Sequence, residues 1–484
     1  MSVTLPRALT ATALIVAGLG AAAQGFDTPP AAGAPRPLSI APPTEQRLAN
    51  GLRVVLAERR GVQLVTAQLL VLSGAEADPG ARAGLASMTA NLLTKGTRRH
   101  SATQLAQAAE SLGGALDSSA GWHQSEVGIT VALPQADAAL ALVAEVVTEP
   151  AFAQAELDRS RTQALDGLKV SYSQPGTLAG LAAQRLLYGD SPYAHPASGT
   201  PASLATLTRA DLVALHAARF RPDNAVLVLA GDLDAATALQ LATRHFGTWK
   251  PAGNAPLPAA LEGRPVKAAS PIAIDMPGSG QAAVVVMAAL PAAGADRATA
   301  IVTNAVLGGG FSSRLNQEIR IRRGLSYGAG SGIDLRPGGG ALRATVQTKN
   351  ESAAEVVTLV QAEFDRLAAS PVPEAELGAR QANLVGGFSR SVETTAGLAA
   401  AVQSLIVAGL PVTSLGTRID ALLAVMPADV QRYAAAHLGQ AGRRVVAVAG
   451  ESARFGETLK AAVPGLRVVP ASEMGADGGA GLIP

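Results

Sequence analysis

The sequence predicts an α+β fold of two homologous halves, each a mixed α/β sandwich-like domain, joined by a linker. Three observations carry that expectation. Runs of period-2 apolar alternation beside turn residues are interspersed with runs of helical period, so strands and helices are mixed within each half. "AELDRSRTQALDG" at 155–167 recurs as "AELGARQANLVGG" at 375–387, and "DLVALHAARFRPDNAVLVLAGD" at 211–232 as "DVQRYAAAHLGQAGRRVVAVAGE" at 429–451. The offsets, 220 and 218, agree at two separate places, which indicates duplication. Between the copies lies "KPAGNAPLPAALEGRPVKAAS", 250–270, with the Pro/Gly/Ala bias of a linker.

Taken in order, the chain opens with "MSVTLPRALTATALIVAGLGAAAQ". Arg7, an uncharged stretch and an Ala-x-Ala ending read as a secretory leader over 1–23, cut after Ala23. The stretch is short of the ~20 apolar residues that a membrane span needs, and no later segment is long enough either, so no membrane insertion is expected. Residues 24–43 are a Pro/Ala-rich extended lead-in. The first domain is expected over 44–250. In it, Asn50-Gly51 suits a tight type I′ hairpin turn. Helices follow at 81–93 and 102–112, a strand at 127–133, and helices at 136–147 and 154–171. The linker takes 251–270, the second domain 271–470 and a disordered tail 471–484.

Composition narrows the function. The 484 residues are 48% hydrophobic, which marks a globular chain too long for one core. A formal charge of +2 and only 3% aromatic residues give no basic, aromatic-interleaved stripe, so nucleic acid is not an expected partner. There is no cysteine, which removes disulfides, thiolate nucleophiles and cysteine-bound metals. A periplasmic protein fits these features.

The helix "GLASMTANLLTKGT", 84–97, places Ser87 and Asn91 four apart on one face. Histidines at that spacing with an adjacent glutamate would bind zinc, but here stand a hydroxyl, a carboxamide and Ala90. The six histidines are dispersed, the closest two being 21 apart, so no helix-borne pair exists. "GLSYG" at 324–328 has the letters of a serine elbow but runs from helix to strand, the reverse of what that turn requires. "LGGGFSSRL", 307–315, lacks the Lys-Ser/Thr of a phosphate loop and reads as a helix cap before a new helix.

"GGGFSSRLNQEIRIRRGLSYGAGSGIDL", 308–335, carries the strongest local pattern. A short helix at 313–323 meets Gly324, and a strand starts near 325. Arg320 and Tyr327 are seven apart, about 20° short of two helical turns, and a break at Gly324 lets them converge. A guanidinium beside a phenol can grip a carbonyl as it becomes an oxyanion. The alternative is a basic surface turn with Tyr327 packed beneath it.

These residues, with "LANGLRVVLAERRG" and "DPGARAGLASMTANLLTKGTRRHSATQLAQAAESLGGALDS", resemble the pitrilysin/insulinase zinc metallopeptidases, which include mitochondrial processing peptidase. The resemblance covers nearly the whole chain after the leader and implies a processing-peptidase type of fold. The family's His-x-x-Glu-His motif falls on Ser87, Met88, Thr89, Ala90 and Asn91, and its distal glutamate on or beside Gly167, so ligands and general base are all missing. The family's Arg…Tyr pair matches Arg320 and Tyr327, and the run Gly308, Gly309, Gly310, Phe311 matches its substrate-binding loop. The resemblance therefore implies the non-zinc subunit of an exported heterodimer. No cofactor would be bound by this chain, and zinc would sit in a homologous His-x-x-Glu-His partner. Peptides would be the substrates, and four domains would enclose a chamber. A catalytically inert scaffold, similar to the core proteins of the respiratory cytochrome complex, is the alternative.

Overall fold

A computed structural model describes residues 40–250, 270–294, 296–475, 477–479 and 482. The expected leader, nearly all of the lead-in and nearly all of the linker lie outside the described residues. The first half begins with β1 (Thr44–Arg47), β2 (Arg53–Glu58) and β3 (Leu64–Val71). The helices α1 (Leu85–Leu93) and α2 (Ala102–Ser111) follow, then β4 (Asp117–Ala120) and β5 (Ser125–Ala132). Next come α3 (Ala136–Thr148), α4 (Gln154–Tyr172), α5 (Pro175–Tyr188), α6 (Pro201–Thr206) and α7 (Arg209–Arg219). β6 (Ala225–Gly231) and α8 (Ala235–Phe246) complete it.

The second half repeats this order. It runs β7 (Ile272–Asp275), β8 (Ala282–Leu290), α9 (Arg297–Leu307), a π-helix (Asn316–Arg322), β9 (Ala329–Asp334) and β10 (Gly340–Thr348). Then come α10 (Ala353–Ala369), α11 (Glu374–Ser391), α12 (Thr395–Val407), α13 (Arg418–Leu423) and α14 (Pro427–His437). β11 (Arg444–Gly450), α15 (Gly456–Ala462) and β12 (Arg467–Pro470) end it. The repeated segments of the sequence are α4 against α11, and α7–β6 against α14–β11.

Each half holds a six-stranded sheet, ordered β1-β2-β6-β3-β5-β4 and β12-β7-β11-β8-β10-β9. Five strands correspond. The sixth differs: β1 pairs antiparallel with β2, whereas β12 runs parallel to β7. One face of each sheet packs on its own half's helices, α3 and α8 among them in the first and α10 and α14 in the second. The other face is covered by the opposite half. α12 lies on β2, β3 and β6, and α5 lies on β8 and β11. With both faces covered, β6 ("AVLVLAG") and β11 ("RVVAVAG") are buried at every position, as continuous apolar runs require.

Three local expectations are corrected. The hairpin at Asn50-Gly51 is not a two-residue type I′ turn, because only Gly51 is left-handed (φ 97°). Leu48 and Leu52 close a three-residue loop (N–H to O 2.9 Å), while Asn50 donates its amide to the Phe246 and Trp249 carbonyls. The helix expected from 81 starts at Leu85, since Gly84 (φ 89°) separates it from a short 3-10 turn. The tail read as disordered is folded over its described part: residues Ala471–Met474 form a 3-10 turn, and Met474 and Leu482 are buried on the α5 side of the second sheet.

Candidate functional site

The helix that would carry metal ligands in the first half is α1. Asp78 caps it, its carboxylate accepting from the Gly84 and Ala86 amides at 3.0 Å each. Ser87 donates its hydroxyl to the Ala197 carbonyl (2.9 Å), and Asn91, exposed, accepts from Ser160 of α4 (3.2 Å). Ala90 is fully buried, and its carbonyl accepts from Ser118 of β4 (2.8 Å). Gly167 sits two turns beyond Ser160 on α4, and a Cβ built there meets nothing within 4 Å. α1 and α4 thus meet, but the side chains at their contact are hydroxyls and one amide. Neutral groups of this kind do not supply the imidazole and carboxylate set that zinc requires. Among the described residues no group of three His, Cys, Asp or Glu side chains could hold a metal ion. Ser160 was missed in the sequence. Its signal is the seven-residue spacing to Gly167, which puts both on one helix face.

In the second half the structure brings Arg320 and Tyr327 together. The segment expected as an ordinary helix is a π-helix, an irregularity that often marks functional sites. Gly324 (φ 63°) ends it, with the Leu325 amide donating to the Ile319 carbonyl (2.9 Å). The chain then reverses and the strand begins at Ala329, later than expected. The Arg320 guanidinium carbon stands 4.9 Å from the Tyr327 ring centroid and 4.9 Å from that of Phe311. The charge is therefore held between two aromatic rings, a contact worth about 0.5–1 kcal/mol for each exposed pair.

The pair is unspent. Arg322 and Arg323 bond Glu318 at 3.0 and 2.9 Å, and Arg323 also reaches Glu355 at 3.0 Å. Arg320 has no carboxylate or hydrogen-bond partner among the described residues. Tyr327 is 90% exposed, so it is not packed beneath a basic turn. Tyr327 lies open to solvent and Arg320 is half-buried, and neither lines the groove between α5 and the β9–β10 hairpin. Within the preceding loop, Gly308 accepts from the Ser331 amide (2.9 Å), and a Cβ at Gly308 would lie 2.3 Å from that nitrogen. A Cβ at Gly309 would lie 2.8 Å from Ala305 Cα, whereas Gly310 stands in open space. Buried Asn316 ties the loop to the strand: its amide donates to the Phe311 carbonyl (2.6 Å) and its oxygen accepts from Ala329 (3.3 Å). α11 clamps the loop from behind, through Glu376 to Arg314 (2.9 Å twice) and Arg380 to Ser312. None of these supports is visible in the spacing.

Comparison with known proteins bears on the family and the fold. Residues 53–195 match the profile of insulinase (peptidase family M16), and residues 206–384 that of the peptidase M16 inactive domain. The chain is 29% identical over 359 residues to a protein named an uncharacterized zinc protease of Mycobacterium bovis, covering 74% of this chain and 82% of that one. It is 25% identical over 357 residues to the non-peptidase homologue YmxG of Helicobacter pylori, covering 73% and 82%. The crystal structure of a peptidase M16 inactive domain from Pseudomonas fluorescens superposes with a TM-score of 0.79 at 28% identity, over 84% of this chain and 98% of that one. The chain belongs to the insulinase (peptidase M16) family, and its described residues include no group of three His, Cys, Asp or Glu side chains that could hold a metal ion.

Proposed function

We propose that this chain is the non-zinc subunit of an exported, periplasmic heterodimer that hydrolyses peptides. A homologous partner with an intact His-x-x-Glu-His helix supplies the zinc and its activated water. This chain supplies Arg320 and Tyr327, which bind the peptide carbonyl and stabilise the oxyanion as it forms. Gly308, Gly309, Gly310 and Phe311 contact the substrate backbone next to them. Extended peptide pairs with an open sheet edge, and β4, paired on one side only by β5, supports that mode.

One observation carries the reading. Of the three arginines on the π-helix and its end, Arg320 alone has no carboxylate, and it is stacked in place beside an exposed phenol. A scaffold has no use for two unspent donors so arranged. Tagged full-length chain, purified from the periplasm of its own cells, tests the pairing. Recovery of a zinc-bearing M16 chain in one-to-one ratio is expected. Recovery of an integral membrane complex with no such chain favours the inert scaffold.

A further inference from the structure

On the sheet face beneath α5, neighbouring inward side chains are apolar: Ala283, Val285 and Met287 on β8, Val445 and Ala447 on β11. Arg343 of β10 shares this face, two residues from buried Ala341. Among the described residues its guanidinium has no hydrogen-bond or carboxylate partner, and its Nε is fully buried. Burial alone pulls its pKa below the ordinary arginine range, with no nearby acid to oppose the shift.

α5 is shaped around this charge. A Cβ at Gly180 would lie 2.2 Å from Arg343 Nη2 and 2.9 Å from Cζ, so a side chain there would push the guanidinium out of its present position. Glycine inside a helix is destabilising relative to alanine, and a desolvated, unpaired charge is more so. The chain keeps both. From Arg343 a groove of about 510 Å³ runs between α5 and the β9–β10 hairpin. Two further buried groups on its wall are also unpartnered, the Tyr188 hydroxyl and Arg336 Nη1. The one acid lining it, Asp334, is already held by Arg336 Nε at 2.8 Å and by Nη2. What the groove lacks is an acceptor carrying negative charge.

We propose that this groove is a carboxylate-binding subsite for a peptide, with Arg343 as its anchor. A planar guanidinium matches a carboxylate in two parallel hydrogen bonds, and the remaining walls, Met287, Ile333 and Ala341, suit the aliphatic part of a peptide. Arg343 pairs in register with Gly332, five residues beyond Tyr327. Gly332 lies on β9, the strand that follows Tyr327 in the chain, so the subsite and the Arg320–Tyr327 pair are joined by one short segment. The proposal rests on the reading that this chain handles extended peptides, and gives it a preference for acids. The carboxylate comes either from a peptide C-terminus or from an Asp or Glu side chain.

Titration calorimetry on the full-length chain separates these sources. The probes are an unstructured decapeptide with a free C-terminus and one Glu, its C-terminal amide, its Glu→Gln form, and the form carrying both changes. Loss of the responsible carboxylate is expected to weaken binding at least tenfold. Arg343→Gln is expected to bind all four peptides as weakly as the wild type binds the doubly changed one, and Gly180→Ala, which displaces the guanidinium, to behave alike. Without peptide, Arg343→Gln is expected to raise Tm, because it removes an uncompensated charge. Equal affinity for all four peptides, no peptide binding, or a lower Tm in Arg343→Gln overturns the subsite. Equal affinities leave the reading of Arg320 and Tyr327 intact.

Discussion

Arg320 shows how a residue's neighbours decide its use. Three arginines within four positions look alike in the sequence, yet Glu318 and Glu355 neutralise two and leave the third to the rings of Phe311 and Tyr327. Removing one ring should loosen the guanidinium without abolishing it, so Phe311→Ala is expected to lower turnover of the assembled enzyme about two- to fivefold, from a loss of about 0.5–1 kcal/mol. Steady-state kinetics against the wild type check this. A second residue-scale expectation concerns Glu76, whose carboxyl burial pushes up to about 7 from 4.5. A raised acid pKa means that the folded chain binds the extra proton. The stability this brings is fully present below pH 4.5 and is lost as pH rises through 7. His123, lowered to about 4 by burial, has the opposite sign: its contribution is present above 6.5 and is lost as pH falls through 4. Comparison with a variant isolates the acid. Glu76→Gln should gain on the order of 1–3 kcal/mol relative to the wild type between pH 5 and 8, measured by urea unfolding. A constant difference across that range would contradict it.

Among the elements, α1 and the π-helix make opposite uses of the sequence. α1 forms and meets α4, and the positions where the resemblance expects a zinc motif hold a hydroxyl, an alanine and a carboxamide. Asp78 keeps it anchored through two backbone amides. Asp78→Ala leaves those buried donors unpaired and is expected to cost about 2–4 kcal/mol, read from the urea midpoint. The convergence of Arg320 and Tyr327 was legible because a glycine stands where the helix must break. The loop's supports were not, since Asn316, Arg314 and Arg380 meet groups that spacing does not pair with them. The three-residue loop at Gly51 was hidden for the same reason: Asn50 is taken by Phe246 and Trp249, almost two hundred positions away.

At the scale of the molecule, the duplication was legible as two offsets, but the exchange of helices was not. α5 and α12 lie at equivalent places in the repeat, and each covers the sheet of the other half. Periodicity identifies an apolar helix face and says nothing of which sheet it seeks. Arg336 adds to the joint. It is buried, 4.2 Å from the Trp122 ring and 4.6 Å from that of Tyr193, both contributed by the first half. A chain ending at Lys250 would expose the face that α12 covers, so it is expected to aggregate, whereas the full chain unfolds in one cooperative transition. Light scattering of the separately expressed first half checks this, and a soluble, cooperatively folding first half would refute it. The tail, expected to be free, instead contributes Met474 and Leu482 to the second sheet's core.

The central claim is a division of labour, in which this chain lends donors to a reaction whose metal belongs to its partner. Turnover of a peptide by the reconstituted pair tests it most directly, with wild type, Arg320→Ala and Tyr327→Phe compared at equal assembly. The account predicts roughly a hundredfold loss or more for each variant, with the affinity between subunits unchanged. Full activity in both variants would contradict it.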